Sequence, residues 1–291
     1  MKADQKRLYS RVSFLTGIEP PRNFRNLDSL NRVADYINVE LSGYGCEVVE
    51  QPFEVEGKEY RNIIGSMGPT DAPRLVVGAH YDVAGDQPGA DDNASAVAGL
   101  LELARLLEPH QLDMKKRVDF VAYTLEEPPF FGTPSMGSSV HAQSLSEDGV
   151  EVEFMICLEM IGYFTNKPRS QSYPASIPEK YRNGDRGDFI TVVGIEKYVR
   201  LAERLAALMQ ESARIRVNGL NFSSYHGLPG LSDHKNYWER GYPAVMITDT
   251  SFLRNPHYHQ ETDTIDTLDF FRMGEVINGL AGALSKLAKE D

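Results

Sequence analysis

Residues 74–80 read R-L-V-V-G-A-H, residues 94–107 read A-S-A-V-A-G-L-L-E-L-A-R-L-L, and residues 118–124 read V-D-F-V-A-Y-T. The first and third runs are short and apolar, as strands that are buried on both faces are, whereas the middle run is long enough for a helix. A strand, a helix and a second strand in this order predict two parallel strands joined by a helical crossover. This unit indicates an α/β fold.

The rest of the chain continues the alternation. Further strand-like runs lie at 46–55, 61–66, 154–160, 189–194 and 243–249, and helical patterns lie at 27–43, 196–213 and 268–289. Strands that alternate with helices predict a mixed, mostly parallel β-sheet with helices on both faces. We therefore predict a single α/β domain that spans residues 1–291.

Length, charge and cysteine content restrict the class of protein. The 291 residues, 41% of them hydrophobic, are enough to build one sizeable core. The net charge of −12 argues against nucleic acid or an anionic membrane surface as a partner. With only Cys46 and Cys157 present, neither a disulfide framework nor a cysteine-based zinc site is expected.

The N-terminal residues bear on where the protein acts. The first ten, M-K-A-D-Q-K-R-L-Y-S, carry positive charge, but no apolar run follows them, and no stretch of about 18 apolar residues occurs in the sequence. As written, the chain is expected to be cytoplasmic and not bound to a membrane. It would be periplasmic or secreted if a signal peptide had been removed. Nothing in the sequence indicates an oligomeric state.

Polar side chains follow four of the predicted strands. They are His80 and Asp82, Glu126 and Glu127, Glu159, and Asp249. In sheets of this kind, ligands bind outside the carboxyl ends of the strands. Four strands that end in this way predict a common site at one edge of the sheet.

The side chains at this edge are of the kind that binds divalent metal ions. Imidazole and carboxylate groups are ligands of zinc and related ions, whereas calcium sites use oxygen alone. Five residues supply two nitrogens and three carboxylates: His80, Asp92, Glu127, Glu159 and His259. Two ions bridged by one carboxylate need this much negative charge. Asp92 suits the bridge because it lies just before a helix, whose N-terminal end favours an anion.

Some of these residues also have a purely structural interpretation. The acid-rich loop at 90–95, A-D-D-N-A-S, is typical of a turn that caps a helix. Glu126 and Glu127 could be a solvated strand end. Asp82 lies two residues after His80, on the same side of an extended chain, and could hold the second imidazole nitrogen.

Five motifs resemble the zinc-binding motifs of the aminopeptidase S and aminopeptidase Y family of di-zinc exopeptidases. They are H-Y-D (80–82), G-A-D-D-N-A-S (89–95), E-E (126–127), L-E-M-I-G-Y (158–163) and Y-H-Q-E-T-D-T (258–264). The motifs occur in the family's order, and residues 232–259 are similar to its bacterial leucyl-aminopeptidase-like members. Each motif alone is weak evidence, but the resemblance covers residues 25–290.

The resemblance implies a role for each residue of the site. His80 and Glu159 would bind one zinc ion, Glu127 and His259 would bind the other, and Asp92 would bridge them. Glu126 matches the family's general base, and we group Asp82 with it as the catalytic partner of the His80 ring. Mn²⁺ or Co²⁺ would fit the same ligands. The implied reaction is hydrolysis of the N-terminal residue, which we expect to be apolar, from peptides with a free N-terminus.

Two features depart from the family pattern. The acidic pair is followed by P-P-F-F-G (128–132), whereas the commoner family sequence places a glycine two residues on. Glu159 stands where well-known relatives have Asp, which adds one methylene of reach. Both departures bear on substrate specificity more than on catalysis.

Several assignments stay open at this point. His259 is preferred to His257 because only His259 keeps the H-x-x-x-D-T spacing, in which Asp263 would orient its ring. Tyr258 is either a donor to the developing oxyanion or a packed aromatic. Segment 163–188, rich in Pro, Ser, Tyr and Gly, is expected to be a long loop or lid near the active site. Two further residues could support the site from behind: Asp233 and His234.

Three other functions are compatible with this fold. A glutaminyl-cyclase-like acyltransferase would use one zinc ion, and the five complete ligands argue against it. A catalytically silent binding domain would have lost ligands, and none is lost. A metallo-carboxypeptidase would need a cation for the C-terminal carboxylate of its substrate, which Arg169 or Arg254 could supply.

Overall fold

The computed structural model describes residues 1–175, 177, 179, 182, 184–198 and 200–290. The α-helices in this part of the chain are α1 (Gln5–Thr16), α2 (Leu27–Gly43), α3 (Ala96–Leu107), α4 (Gly137–Glu147), α5 (Leu201–Gln210), α6 (His234–Glu239) and α7 (Phe270–Leu287). The strands are β1 (Glu47–Val55), β2 (Lys58–Met67), β3 (Arg74–His80), β4 (Arg117–Tyr123), β5 (Val152–Glu159), β6 (Phe189–Ile195), β7 (Arg216–Phe222) and β8 (Ala244–Thr248). No helix within these residues is long and apolar enough to cross a membrane.

The eight strands found in the described residues form one sheet in the order β1-β2-β4-β3-β5-β8-β6-β7. The central strands β4, β3, β5 and β8 are parallel. At one side β2 and β1 are added antiparallel, and at the other β6 is antiparallel to β8 while β7 is parallel to β6. The predicted mixed, mostly parallel sheet is therefore confirmed, and the carboxyl ends of the four central strands meet at one edge.

Helices cover both faces of the sheet, as predicted. The larger core lies between the sheet and α1, α2, α3, α5 and α7, and the smaller one lies beneath α4 and α6. β5 contributes to both, because successive side chains of a strand point to opposite faces. Ile156 and Leu158 lie in the larger core, whereas Met155 and Cys157 lie in the smaller one.

Four elements were not predicted: α1, α4, α6 and β7. In α1, Leu8, Val12 and Leu15 are buried at helical spacing, so a signal was present there. α4 and α6 are short and mostly polar, which leaves their periodicity weak. β7 reads R-V-N-G-L-N-F at the edge of the sheet, where one buried side chain is too little to produce a strand pattern.

The smaller core contains a buried chain of polar rings. His141 Nδ1 of α4 lies 2.6 Å from the Tyr237 hydroxyl of α6, which lies 2.7 Å from the hydroxyl of Tyr123. All three side chains are buried. Burial lowers the pKa of His141 to about 4.

The contribution of His141 to stability is therefore expected to be lost as the pH falls from 6.5 towards 4. In this range His141 takes up a proton in the unfolded chain but not in the folded one, so unfolding is favoured by acid, by up to about 3 kcal/mol. Burial lowers the pKa of His234 to about 4 as well, which adds an effect of the same sign. The free energy of unfolding of the wild type, measured in urea relative to that of His141→Gln, should fall as the pH falls across this range. An equal pH dependence of the two proteins would contradict the assignment.

Candidate metal centre

The predicted site residues all lie at the carboxyl edge of the central strands. His80 and Glu159 are the last residues of β3 and β5, and Glu126 and Glu127 follow the end of β4. His259 lies in the chain after β8. Asp92 lies in the helical segment Ala90–Ser95, where its own dihedral angles (φ −103°, ψ 88°) are not helical.

The ligand atoms form two groups that share Asp92. In the first, His80 Nε2 lies 3.4 Å from Asp92 Oδ1 and 3.4 Å from Glu159 Oε2. In the second, His259 Nε2 lies 3.1 Å from Asp92 Oδ2 and 3.3 Å from Glu127 Oε2. Each group could hold one metal ion, as could a third combination of His80, Glu126 and Glu127. The two oxygens of Asp92 thus face different groups.

The charges of these side chains fit divalent cations. Asp92, Glu126, Glu127 and Glu159 are all buried, and Glu127 Oε1 has no hydrogen-bond partner among the described residues. Crowding buried carboxylates is unfavourable unless cations or protons compensate them. A set of two imidazoles and three carboxylates is one that zinc, manganese or cobalt accepts.

The pKa values show how strongly the site attracts positive charge. Burial, with the charge of Asp92, raises the pKa of Glu127 to about 7. Burial also raises the pKa of Glu126 well above its usual range, and the charges of Glu127 and Glu159 add to this. Burial opposes protonation of His259, but the neighbouring carboxylates of Asp92 and Glu127 raise its pKa to about 10. The cluster favours bound protons or cations over its bare charges.

Asp82 connects the ligands of neighbouring strands. Its carboxylate accepts hydrogen bonds from the amides of Glu126 (3.2 Å) and Glu127 (3.1 Å). Its Oδ1 lies 3.5 Å from Nδ1 of His80, and its backbone oxygen lies 3.2 Å from the same nitrogen. Asp82 is therefore placed to orient the His80 ring and the acidic pair together.

Other contacts around the ligands were not predicted. Ser232 Oγ donates to Glu159 Oε2 over 2.6 Å. Asp263, which we expected to orient His259, instead accepts hydrogen bonds from the amides of Asp91 (3.0 Å) and Asp92 (3.1 Å). Because both amides bond to its carboxylate, Asp263 holds the turn that carries the ligand Asp92.

The structure bears on two assignments that the sequence left open, those of His257 and Tyr258. His257 lies outside the ligand groups, with Nδ1 2.9 Å from Thr262 Oγ1. Tyr258 stacks on the ring of His259, with 3.8 Å between ring centroids. Burial and the nearby carboxylates raise the pKa of Tyr258, so its hydroxyl keeps its proton.

Asp233 and His234 lie behind the site and outside the ligand groups. Both are completely buried, and His234 Nε2 lies 2.6 Å from the backbone oxygen of Pro229. Burial raises the pKa of Asp233 to about 7. They are neighbours of the cluster and not members of it.

A cavity of about 420 Å³ opens beside the ligand groups. Its floor is the face of β6, β7 and β8, where Val193 pairs with both Leu220 and Met246. No Lys or Arg lines the cavity within the part of the chain that the structure describes. The cavity is thus apolar at its floor and acidic at the metal ligands.

Part of segment 163–188 forms one wall of this cavity. Gln171, Tyr173 and Ile177 line it, and the described residues of the segment form no α-helix or strand. Residues 176, 178, 180, 181 and 183 of this segment lie outside the described residues. That the segment moves as a lid stays a prediction.

Arg254 and Arg169, which we considered as partners for a substrate carboxylate, do not line the cavity. Arg254 is buried, and its guanidinium donates to Gln171 Oε1 (2.8 Å) and to the backbone oxygen of Phe189 (2.8 Å). Arg169 is exposed. Neither is placed to meet a substrate beside the metal ligands.

Comparison with other protein sequences identifies a family match and several relatives of this chain. Residues 62–282 match the sequence profile of a family described as Peptidase family M28. An uncharacterised protein of Escherichia coli (strain K12), YfbL, is 44% identical over 288 residues, which cover 96% of this chain and 87% of that protein. Probable leucine aminopeptidase 1 of Trichophyton verrucosum (strain HKI 0517) is 26% identical over 268 residues, which cover 85% of this chain and 62% of that protein.

The fold is similar to solved structures of two kinds. BSAP, a zinc aminopeptidase from Bacillus subtilis, has a TM-score of 0.78 at 16% identity, covering 99% of this chain and 96% of that chain. Fimbriiglobus ruber glutaminyl cyclase has a TM-score of 0.70 at 21% identity, covering 98% and 96%. Identities this low show a shared fold only. The profile match extends over most of the chain and confirms the peptidase resemblance of the five motifs. The chain therefore belongs to peptidase family M28.

Proposed function

We propose that this protein is an aminopeptidase that uses two divalent metal ions, preferably zinc, to remove an apolar N-terminal residue from peptides. The observation that carries the proposal is that the two carboxylate oxygens of Asp92 face different ligand groups. One of its oxygens faces His80 and Glu159, and the other faces His259 and Glu127. A carboxylate shared in this way is what two neighbouring ions need.

In the proposed reaction each ligand group would hold one ion. His80 and Glu159 would hold the first, Glu127 and His259 the second, and Asp92 both. When bound, such ions polarise the scissile carbonyl and lower the pKa of a water molecule. The remaining carboxylate, Glu126, is left for proton transfer.

Glu126 suits the role of general base by position and by environment. It lines the cavity, and its Oε2 lies 3.9 Å from His80 Nε2, outside the two groups that share Asp92. Burial raises its pKa, and a carboxylate with a raised pKa is a stronger base. Glu126 would accept a proton from the attacking water and pass it to the leaving amine.

The charge at the cavity favours a free N-terminus over a free C-terminus. A substrate ammonium would face the carboxylates at the metal ligands. A C-terminal carboxylate would meet the same acidic groups, and no described Lys or Arg lines the cavity to receive it. This supports an aminopeptidase over a carboxypeptidase.

The apolar floor of the cavity supports a preference for large apolar N-terminal residues. Leu220→Trp would fill this floor, so we expect kcat/KM for peptides that begin with Phe to fall about ten-fold or more, with a smaller effect on those that begin with Ala. Steady-state kinetics on the two peptides measures this ratio.

The matched control for this prediction is Val49→Trp, which adds the same side chain at an exposed position of β1, on the opposite edge of the sheet. An unchanged Phe-to-Ala ratio in Leu220→Trp would show that the specificity pocket lies elsewhere.

Two measurements test the proposed function against glutaminyl cyclisation, since a glutaminyl cyclase shares the fold. Mass spectrometry of a peptide with N-terminal Gln should show release of free glutamine, whereas loss of ammonia from an intact peptide would indicate cyclisation. Elemental analysis after zinc loading should give two ions per chain. A saturating content of one ion would contradict the shared role of Asp92.

A further inference from the structure

Arg22 is a buried cation whose hydrogen bonds within the described part of the chain all go to backbone oxygens. Its Nε donates to Tyr81 (2.9 Å), Nη1 donates to Leu15 (3.1 Å) and Pro88 (2.6 Å), and Nη2 donates to Gly89 (2.7 Å). The side chain is 2% exposed. A guanidinium in this setting needs a reason beyond packing, because burying a charge is costly.

Three of the four oxygens that Arg22 contacts, those of Tyr81, Pro88 and Gly89, lie at the two ends of one loop. Tyr81 directly follows the ligand His80, and Gly89 lies three positions before the ligand Asp92. The planar fork of one guanidinium therefore ties together the two ends of the segment between these ligands. A lysine ammonium could not reproduce this, since it presents a single nitrogen.

The backbone of residue 22 and the side chain of residue 23 make further hydrogen bonds to the same loop. The amide of Val83 donates to the backbone oxygen of Arg22 (3.2 Å), and Asn23 Nδ2 donates to that of Gly85 (2.5 Å). Gly89 has a φ of +62°, and a Cβ there would lie 3.1 Å from Nη2 of Arg22 and 2.4 Å from the oxygen of Asp92. The loop is packed too closely around the guanidinium to tolerate a side chain at position 89.

The charge of Arg22 does not by itself explain its hydrogen bonds to the loop. Burial lowers its pKa to about 10, while the carboxylates of Asp263, Asp82 and Asp92 oppose this, so it is charged at neutral pH. A fixed positive charge near a metal site repels the incoming cations. The hydrogen bonds to both ends of the loop, which charge alone does not require, indicate a geometric role.

We propose that Arg22 is a positioning residue that fixes the loop between His80 and Asp92, so that both ligands are in place before a metal ion binds. This inference rests on the proposed metal centre. Contacts that orient metal ligands typically change metal affinity by about 10- to 100-fold when they are removed. Arg22 acts through the backbone of the ligand loop and not through the ions.

The test is zinc affinity, measured by competition with a chromogenic chelator. Arg22→Lys keeps the charge but loses the fork, and its zinc dissociation constant should rise by about ten-fold or more. The matched control, Arg25→Lys, changes an exposed arginine that contacts Asp86 of the same loop, and its dissociation constant should stay within about three-fold of the wild type. Circular dichroism would first establish that each metal-free variant is folded at the temperature used.

Three outcomes would overturn the inference. If Arg22→Lys bound zinc as tightly as the wild type while only its unfolding temperature fell, Arg22 would have a merely structural role. If Arg22→Gln bound zinc more tightly, its charge would outweigh positioning. If the wild type bound no divalent ion, the proposed function would fail and this inference with it, whereas the first two outcomes leave the proposed function intact.

A second measurement needs no variant and applies even if Arg22→Lys does not fold. Hydrogen exchange of the metal-free wild type should show the amide of Val83 already protected, because Arg22 holds the loop without metal. Fast exchange there that slows only when zinc is added would show that the ions order the loop, and would overturn the inference.

Discussion

Replacing Glu126 by Gln is expected to lower kcat by about 1,000-fold, because the amide has the shape of the carboxylate but cannot accept a proton. Glu126 lies outside the two ligand groups that share Asp92, so zinc content should stay near that of the wild type. Steady-state kinetics on a peptide substrate and elemental analysis of the same sample measure both quantities.

The combination of lost turnover and retained metal separates a base from a ligand. Glu147→Gln, an exposed position at the end of α4, is the matched control and should leave kcat unchanged. Activity of Glu126→Gln within about ten-fold of the wild type would be too small a loss for general base catalysis and would remove Glu126 from that role.

Replacing Asp92 by Ala is expected to reduce peptide hydrolysis to the uncatalysed background. Asp92 offers one oxygen to each ligand group, so its removal weakens both at once. Zinc titrations should therefore show two weakened sites. Glu159→Ala, in contrast, removes a ligand from the group that contains His80 and should leave the other site, with Glu127 and His259, close to its original affinity.

Asp86→Asn provides the control for these acidic substitutions, because Asp86 is exposed and lies in the same loop as Asp92. It should bind two ions with unchanged affinity. If Asp92→Ala still bound two zinc ions as tightly as the wild type, Asp92 could not be the shared ligand, and the arrangement of the centre would need to be reassigned.

The sequence allowed the centre of the fold and the metal ligands to be predicted for the same reason. Each central strand is a short apolar run, and the polar residue that ends it stands out against that run, as His80 and Glu159 do. Parallel strands bring their carboxyl ends to one edge, so residues far apart in sequence meet there. His80, Glu127 and Glu159 could therefore be grouped from the strand pattern, whereas His259 was chosen by the spacing that the family resemblance implies.

Other parts of the site depend on contacts that leave no local pattern. β7, whose Leu220 lies on the floor of the cavity, is an edge strand with mixed polarity, so both the strand and the cavity were missed. Arg22 reaches the loop of Gly89 across 67 positions of sequence, and Ser232 reaches Glu159 across 73. Such contacts follow from the packing of distant segments, which periodicity and composition do not describe.

The most direct test of the proposed activity is mass spectrometry of a mixed peptide pool, half of it N-acetylated, after incubation with the zinc-loaded protein. We expect stepwise loss of residues from the free N-termini only, fastest for large apolar residues and abolished by a chelator. Shortening of the acetylated peptides from their C-termini would instead indicate a carboxypeptidase. A pool left unchanged by the zinc-loaded protein would contradict peptidase activity altogether.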